Sequence, residues 1–290
     1  MTELSYATLA LNPADYLTRA NEVIRPVSDG GCQSVKLLVE GPLRVGVDLG
    51  TANTVLTVLD ANGNPLVGEY EFAQVVRDGL VVDFIGAVDL LKAMKGRVER
   101  ALGRELTHAA SGFPPGVPSS EVRATANVIE ASGMRCELLV DEPTAANNVL
   151  GLSDGVIVDV GGGTTGIAIL ENGKVVYTAD EPTGGTHFSL VIAGALGISF
   201  EEAEELKKTP SEQTRLFPVI RPVMEKVGSI VARHLHGRNV SSITLVGGSC
   251  NFPGMAEVIQ EYTGIRSWVS EKPLLVTPLG IALNDVQGFD

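Results

Sequence analysis

The pattern of apolar and polar residues predicts two similar β-hairpins, separated by about 110 residues of chain. In the later one, a β-branched run at 156–158 predicts a buried strand that ends at Asp159, and glycines and threonines separate it from a second apolar strand at 167–170. The earlier one, at 44–59, repeats this order with Asp48, Gly50 and Thr51 between two apolar strands. The repetition predicts an internal duplication.

Both predicted turns carry residue types that a phosphate group requires. Glycine lets the backbone approach a ligand and point its N–H groups at an anion, and a strand-end aspartate places a carboxylate where Mg²⁺ would bridge two phosphates. One such hairpin can equally be a tight turn without a ligand, but two predict two lobes that hold a nucleotide in the cleft between them. The candidate turn residues are Gly50, Thr51, Ala52 and Asn53 in the first hairpin and Gly161, Gly162, Gly163, Thr164 and Thr165 in the second.

Strands and helices alternate along the rest of the chain, which predicts an α/β protein. Helical spacing and capping residues predict helices near 86–102, 121–132, 186–196, 200–208, 220–236 and 254–263, and strands near 107–112, 136–140 and 243–246. Pro210 is expected to break the chain ahead of the 220–236 helix. We expect an N-terminal arm at 1–41, lobe I at 42–152 and lobe II at 153–290, with a C-terminal helix near 276–288 that packs back on lobe I.

The arm is predicted to contain a short amphipathic helix. Asn12 and Pro13 form a helix start, and Leu17, Ala20 and Ile24 then fall on one face. A helix of this length needs a partner surface. Two alternatives follow: the helix docks on its own domain, or it is a detachable tag that binds another protein.

Composition and charge limit the functions that the chain can have. Its 290 residues can form two domains, and 44% hydrophobic residues with 33 glycines suit an α/β fold. A formal net charge of −13 argues against binding to nucleic acid or an anionic membrane surface. No apolar stretch is long enough to span a bilayer and no export signal is present, so we expect a cytoplasmic location. The cysteines Cys32, Cys136 and Cys250 are expected to be free thiols.

Two further stretches carry candidate chemistry. Glu142 lies between a predicted strand and Pro143, so it is either a helix-start carboxylate or a residue aimed at the nucleotide, and the two hairpins favour the second role. The strand at 243–246 leads into Gly247, Gly248 and Ser249, a turn that can approach phosphate or ribose but more often serves tight packing.

These stretches together resemble the actin and DnaK-type chaperone ATPase superfamily. The matching motifs, in the superfamily's order, are VGVDLGTANT, LLVDEPTAAN, IVDVGGGTTGIAI, ITLVGGSCNFPG and VTPLGIAL. The resemblance covers nearly everything from residue 43 to 283. It implies a two-lobed actin-like ATPase fold of duplicated ribonuclease-H-like domains, with ATP or ADP and Mg²⁺ in the cleft. Because the motifs run almost to the end of the sequence, we expect no separate peptide-binding domain of the kind that chaperones carry.

The resemblance also implies residue roles. Asp48 and Asp159 match the acids that hold Mg²⁺ through water, and Glu142 matches the carboxylate that polarises the attacking water. Thr164 and the residues around it match the second phosphate turn, which clamps the β- and γ-phosphates. Residues that match ribose and adenine contacts are Glu204, Lys207, Lys208, Gly247, Gly248 and Ser249.

A closer resemblance is to the chaperone-like proteins of ethanolamine-utilisation operons, through VVRDGLVVDFIGAV, HAASGFPPG, EEAEELK and LVGGSCNFPG. It implies client or shell proteins of the ethanolamine pathway as partners, and a role with enzymes or with the assembly of a bacterial microcompartment. One position departs from the chaperones, because residues 274–279 contain none of the acids that chaperones carry before the glycine matching Gly280. We therefore expect nucleotide binding with slow, weak Mg²⁺-dependent ATP hydrolysis. The alternatives are a nucleotide-gated scaffold, a filament-forming bacterial actin relative and a small-molecule kinase.

Overall fold

The computed structural model describes residues 12–33, 40–77 and 80–286. The chain divides into two compact units. Unit 1 contains Met1–Gly151 and Leu275–Asp290, and unit 2 contains Leu152–Leu274. The C-terminal segment is thus grouped with unit 1, whereas the sequence-based division counted it in lobe II and expected it to pack back on lobe I.

Helices and strands alternate along the described part of the chain. The helices are α1 (Pro13–Val23), α2 (Phe84–Leu102), α3 (Ser119–Ala131), α4 (Glu142–Leu150), α5 (Gly185–Leu196), α6 (Phe200–Lys208), α7 (Pro210–Leu235), α8 (Met255–Thr263) and α9 (Val276–Asn284). The strands are β1 (Ile24–Pro26), β2 (Arg44–Leu49), β3 (Asn53–Leu59), β4 (Pro65–Phe72), β5 (Val76–Arg77), β6 (Leu80–Val81), β7 (Ala110–Phe113), β8 (Leu139–Asp141), β9 (Gly155–Val160), β10 (Thr165–Glu171), β11 (Lys174–Glu181), β12 (Ile243–Val246) and β13 (Ser267–Val269).

The two units contain the same sheet. In unit 1 the strand order is β1-β4-β3-β2-β7-β8, and in unit 2 it is β11-β10-β9-β12-β13. In both, the two hairpin strands (β2 and β3, or β9 and β10) pair antiparallel, and the second of them also pairs antiparallel with the strand that follows it, β4 or β11. On the other side, the first hairpin strand pairs in parallel with β7 or β12, which in turn pairs in parallel with β8 or β13. Strand β1 is an addition at the edge of the first sheet. The internal duplication predicted from the hairpins is therefore confirmed.

Each sheet is held by its own apolar core. The central strands β2 and β9 are buried along almost their whole length. The core of unit 1 lies between the sheet and α2 and α3, and the core of unit 2 lies between the sheet and α5, α7 and α8. Helix α9 is buried at every residue and lies against β2 and α4 in unit 1.

The N-terminal segment folds onto unit 1 in the residues that are described. The Asn12 side chain accepts a hydrogen bond of 3.0 Å from the Asp15 N–H and caps α1, as the sequence predicts. Tyr16 is buried and donates its hydroxyl hydrogen bond to the Gly63 carbonyl at 2.9 Å. Strand β1 pairs in parallel with β4, with Ile24 opposite Gly68. Residues 12–26 are thus docked on their own unit, and residues 1–11 and 34–39 of the predicted arm lie outside the described residues.

Several predicted boundaries are wrong. The helix expected at 220–236 begins at Pro210, because a proline at the first helical position starts a helix rather than breaking it. This helix also contains Pro218 and Pro222, and its buried face of Leu216, Ile220 and Val223 holds it together there. Strands β1 and β13 are three residues long and lack a visible sequence pattern. The sequence Arg77-Asp78-Gly79 is typical of a turn, and Asp78 and Gly79 lie outside the described residues.

Two other sequence expectations concern thiols and membranes. Cys32, Cys136 and Cys250 are free, as predicted. In the residues that the structure describes, no helix combines the length and the apolar character needed to cross a bilayer.

Candidate functional site

The first hairpin turn closes at the end of β2. Asp48 pairs with Val55 of β3, and the Gly50 N–H donates to the Asn53 carbonyl at 3.1 Å. A β-carbon on Gly50 would lie 2.7 Å from that carbonyl oxygen, so the closed turn requires glycine here. Thr51 and Ala52 form the apex and are partly exposed, and their N–H groups donate no hydrogen bond within the described part of the chain.

Glu142 lies at the same edge of the unit 1 sheet. Strands β2 and β7 run parallel with Val47 opposite Ser111, so the next residues along the two strands are Asp48 and Gly112. A β-carbon on Gly112 would lie 3.3 Å from Glu142 Cγ. The same β-carbon would lie 2.6 Å from Ile281 Cδ1 of α9, so glycine at this position makes room for α9 and also lets Glu142 lie close to the strand end.

Local capping explains how Glu142 is held. Asp141 ends β8, and its side chain accepts a hydrogen bond of 3.0 Å from the Thr144 N–H. This bond begins α4 with Glu142 as its first residue and Pro143 as its second. The helix dipole favours a negative charge at this end. The position suits both roles weighed from the sequence, a helix-start carboxylate and a residue directed at a ligand.

The second hairpin turn, in unit 2, has the same construction. Asp159 pairs with Gly166 of β10, and the Gly161 N–H donates to the Thr164 carbonyl at 3.0 Å. Within the described residues, the N–H groups of Gly162, Gly163 and Thr164 donate no hydrogen bond to the protein. Three adjacent N–H donors at a turn are the kind of group that an anion requires.

The start of α5 holds this turn from outside. The Gly185 N–H donates to the Gly161 carbonyl at 2.9 Å, and the Thr186 N–H donates to the Gly162 carbonyl at 2.8 Å. A β-carbon on Gly184 would lie 2.7 Å from the Gly161 oxygen. Sequence reasoning missed these contacts. The glycine pair at 184–185 is their signal, since it lets two chain segments approach closely.

Asp159 is flanked by the turn at 247–249. Strand β12 pairs in parallel with β9, with Val246 opposite Asp159, so Gly247 leaves the sheet beside the aspartate. Gly247 has φ +90°, and a β-carbon there would overlap Asp159 Oδ1. Both the backbone conformation and the neighbouring carboxylate therefore require glycine. Burial raises the pKa of the Cys250 thiol, with Asp159 adding to the effect, so this cysteine is an unreactive core residue.

The residues predicted to contact the nucleoside lie on α6 and in the turn at 247–249. Glu204 is buried, and its carboxylate accepts a hydrogen bond from Ser189 and pairs with Lys207 Nζ at 2.5 Å. Burial lowers the pKa of Lys207, and the charge of Glu204 opposes this shift. Lys207 Nζ also donates to the Gly185 carbonyl at 3.1 Å. Lys208 is more exposed and lies 3.9 Å from Glu204 Oε2.

Two predicted ligand residues use their hydroxyl groups inside unit 2. Thr165 is buried in β10 and donates to the Thr183 carbonyl at 2.6 Å. Ser249 donates to the Gly161 carbonyl at 2.7 Å. The structure thus brings Asp159, the second turn, Ser249 and Lys207 together in unit 2, and Asp48, the first turn and Glu142 together in unit 1.

The carboxylates suit a magnesium ion held through water. Asp48 and Asp159 are each the last but one residue of a central strand, beside a turn with unpaired N–H donors. Mg²⁺ prefers oxygen ligands, keeps several waters and is usually bound through one or two carboxylates and substrate phosphates. Among the described residues, no three histidine, cysteine, aspartate or glutamate side chains lie together as a group that could hold a metal ion.

Comparison with known proteins identifies the family. The chain is 43% identical to the ethanolamine utilization protein EutJ of Escherichia coli (strain K12) over 252 residues, which are 87% of this chain and 89% of that protein. It is 25% identical to the chaperone protein HscA homolog of Chromobacterium violaceum, over 67% of this chain and 40% of that protein. A family model described as type IV pilus assembly protein PilM matches residues 130–274.

Solved structures give the same result at the level of the fold. The crystal structure of EutJ from Carboxydothermus hydrogenoformans superposes with a TM-score of 0.85 and 44% identity, covering 94% of this chain and 99% of that chain. MreB5 of Spiroplasma citri bound to AMPPNP superposes with a TM-score of 0.69 and 19% identity, covering 83% and 95%, and shows the fold alone. The chain therefore has the actin-like ATPase fold, whose family binds nucleotide with a divalent metal, and it belongs to the EutJ family of ethanolamine utilization proteins.

Proposed function

We propose that the protein binds ATP or ADP with Mg²⁺ through its two hairpin turns and hydrolyses ATP slowly. The observation that carries this proposal is the set of unpaired N–H groups at Gly162, Gly163 and Thr164 beside the Asp159 carboxylate. The matching turn after Asp48 in unit 1 supports it. A triphosphate needs amide donors and a metal nearby, because the net charge of −13 repels it at longer range.

The roles of the residues follow from their chemistry. The turn residues Gly50 to Asn53 and Gly161 to Thr164 donate backbone hydrogen bonds to phosphate oxygens. Asp48 and Asp159 would hold a bound Mg²⁺ through its water molecules, and the ion would supply positive charge that neutralises the phosphates. Glu142 accepts a hydrogen bond from the attacking water and orients it. Phosphoanhydride hydrolysis needs positioning and charge neutralisation more than covalent catalysis.

The nucleoside is assigned to unit 2. Glu204 would offer its carboxylate to ribose hydroxyls. The Lys207 ammonium already donates to Glu204, to Ser189 and to the Gly185 carbonyl, so it would hold that carboxylate in place. Lys208 lies next to them on α6, and the turn from Gly247 to Ser249 approaches the same region. Slow turnover is proposed because α9 and the residues before it carry no acid at 274–279. The protein would then bind ATP and hydrolyse it only slowly.

The biological role is proposed from the family. EutJ proteins belong to ethanolamine utilization, and the similarity to an HscA homolog supports a chaperone-like action on enzymes or shell proteins of that pathway. The protein would act in the cytoplasm in association with a bacterial microcompartment. A pull-down from cells that express the ethanolamine operon, with and without ATP, tests this role. Partners retained equally in both conditions would contradict a nucleotide-dependent chaperone.

The metal role of Asp159 gives the sharpest test of nucleotide binding. Changing Asp159→Asn removes the charge and keeps the shape, so ATP affinity in the presence of Mg²⁺ should fall by about tenfold to a hundredfold, the usual effect of losing a group that acts on a metal through its water. Isothermal titration calorimetry with Mg²⁺ and with a chelator measures this change.

Asp89→Asn is the matched control, because Asp89 is exposed on α2. It should bind ATP as the wild type does. Unchanged affinity in Asp159→Asn would reject the metal role of Asp159. Absence of ATP binding by the wild-type protein would reject the proposed function as a whole.

A scaffold that binds nucleotide without useful turnover is the second candidate. The apolar sequence at 274–279, where chaperones carry an acid, favours it. A phosphate-release assay distinguishes the two functions, since a scaffold would bind ATP and release no phosphate above the background rate.

A further inference from the structure

Three separate chain segments meet at one carbonyl group of the second phosphate turn. The Gly161 oxygen accepts a hydrogen bond of 2.7 Å from Ser249 Oγ and one of 2.9 Å from the Gly185 N–H. Ser249 follows β12, and Gly185 begins α5. A serine hydroxyl has a single proton to donate, and here that proton is directed at the phosphate turn.

Gly185 leaves the space that the Ser249 hydroxyl occupies. A β-carbon on Gly185 would overlap Ser249 Oγ, but it would lie 3.4 Å from Ser249 Cβ, an ordinary contact. Gly185 is not among the residues with positive φ, so its backbone would accept alanine. The glycine at this position is therefore explained by the serine hydroxyl and not by the backbone.

Gly185 is also held by a residue of α6. The Gly185 carbonyl accepts a hydrogen bond of 3.1 Å from Lys207 Nζ, and Lys207 is paired with the buried Glu204. Lys207 thus fixes the carbonyl group of Gly185, and the N–H group of Gly185 is hydrogen-bonded to the Gly161 carbonyl. The Gly161 carbonyl is therefore held by two residues, by Ser249 directly and by Gly185, which Lys207 holds in turn.

We propose that Ser249 is a positioning residue, which fixes the Gly161 carbonyl and thereby keeps the N–H groups of the second phosphate turn directed at the phosphates. The proposal rests on the proposed function, because it assumes that this turn binds phosphate. It differs from a ribose or adenine contact in one respect: Ser249 acts on the phosphate turn even when no nucleoside is present.

The test combines four variants with two measurements. The variants are Ser249→Ala, Gly185→Ala, the double variant and Ser249→Thr. Calorimetry gives the affinity for ATP with Mg²⁺. Amide hydrogen exchange of the nucleotide-free protein gives the protection of Gly161, Gly185 and Thr186, whose N–H groups are hydrogen-bonded within the turn and to it. Ser267→Ala is the matched control, because Ser267 also donates to a backbone carbonyl in unit 2, that of Ile265 at 3.0 Å.

Ser249→Ala should weaken ATP binding by about threefold to tenfold, the factor that corresponds to one net hydrogen bond, and should raise exchange at the turn. Gly185→Ala should produce the same loss, because its methyl group displaces the hydroxyl. In the double variant the second substitution should add almost nothing, since the space is already empty. Ser249→Thr keeps the hydroxyl, so its ATP affinity and the amide protection at the turn should stay close to those of the wild type. Ser267→Ala should change neither quantity.

Three results would overturn the proposal. The first is weaker ATP binding in Ser249→Ala with unchanged exchange at the turn, which would make Ser249 a direct nucleotide contact. The second is additive losses from Ser249→Ala and Gly185→Ala. The third is unchanged ATP affinity in both single variants. If the wild type binds no ATP, the proposed function fails, while the exchange measurements still decide whether Ser249 holds the turn.

Discussion

A carboxylate at the first residue of a helix can stabilise the helix or act on a ligand, and Glu142 can be tested for both roles. It starts α4 beside Gly112, at the edge of the sheet where Asp48 also lies. The helix dipole would stabilise a charge there by about 0.3–1 kcal/mol whether or not a ligand binds. A role in hydrolysis should therefore appear in turnover and not only in stability.

The substitution Glu142→Gln keeps the shape of the side chain and removes its ability to act as a base. We expect ATP affinity to stay within about twofold, and phosphate release to fall by at least about a hundredfold, the lower end of the contribution of a positioned base. Calorimetry and a phosphate-release assay measure the two quantities.

Glu121→Gln is the control for the helix-start effect, because Glu121 lies in the first turn of α3. It should lower thermal stability slightly and leave phosphate release unchanged. Equal turnover in Glu142→Gln and the wild type would show that Glu142 is a helix-start carboxylate and would remove it from the mechanism.

At the scale of elements, the crossing of α4 and α9 depends on small residues. A β-carbon on Gly280 would overlap the Ala145 carbonyl oxygen, and one on Gly46 would lie 2.6 Å from the Ala282 nitrogen. Helix α9 can therefore lie directly against α4 on one side and against β2 on the other. Backbone atoms on both sides leave little room for adjustment.

Gly280→Ala should therefore lower the free energy of unfolding by at least about 2 kcal/mol, because the added methyl group must displace backbone. Urea unfolding measures the loss. Gly96→Ala on α2 is the matched control, since its β-carbon would lie 3.5 Å from Arg100 Nη1, an ordinary contact. Alanine has the higher helix propensity by about 1 kcal/mol, so this variant should be as stable as the wild type or more so. Equal effects of the two substitutions would contradict the close crossing.

The elements that could be predicted from sequence are those with a strong local pattern. Both hairpins combine buried β-branched strands with glycine turns, so their strands, their turns and the duplication were visible. The start of α7 was missed because Pro210 was interpreted as a break, although proline is equally at home at the first position of a helix. Strand β1 was missed because its pairing with β4 depends on contacts with a distant part of the chain.

The candidate site shows the same division. Turn residues such as Gly161 were visible because their chemistry is local. The direction of a hydroxyl is not local: Ser249 and Thr165 were expected at the ligand, and their protons are directed at the carbonyls of Gly161 and Thr183. Glu204 and Lys207 are three residues apart on a predicted helix, a spacing that allows their ion pair, but nothing in the sequence shows that Lys207 also reaches the Gly185 carbonyl.

At the scale of the whole molecule, the two units have matching sheets but differ in how many segments of the chain form them. Unit 2 is one continuous stretch, Leu152–Leu274, whereas unit 1 needs both ends of the chain. Asp285, near the C-terminal end, is buried, accepts a hydrogen bond of 2.8 Å from the Val45 N–H and lies 3.2 Å from His108 Nε2. The hydrogen bond between His108 and the Asp285 carboxylate raises the pKa of His108.

The difference predicts how fragments of the protein fold. A fragment of residues 152–274 should unfold cooperatively, because it contains its complete sheet and core. A fragment of residues 1–151 should not, since removal of α9 exposes the faces of α4 and β2 that the helix covers. Circular dichroism during heating, together with the dispersion of amide signals in NMR spectra, distinguishes the two outcomes.

A permuted fragment supplies the control for unit 1. Joining residues 275–290 through a flexible linker to the N-terminus of 1–151 restores α9 and Asp285 without unit 2. This chain should regain cooperative unfolding, because the buried helix and the hydrogen bond from Asp285 to Val45 are both returned. Cooperative unfolding of 1–151 alone would show that α9 is dispensable for unit 1. Failure of the permuted chain would show that unit 1 needs unit 2 in order to fold, and the duplicated sheets would then not be independent folding units.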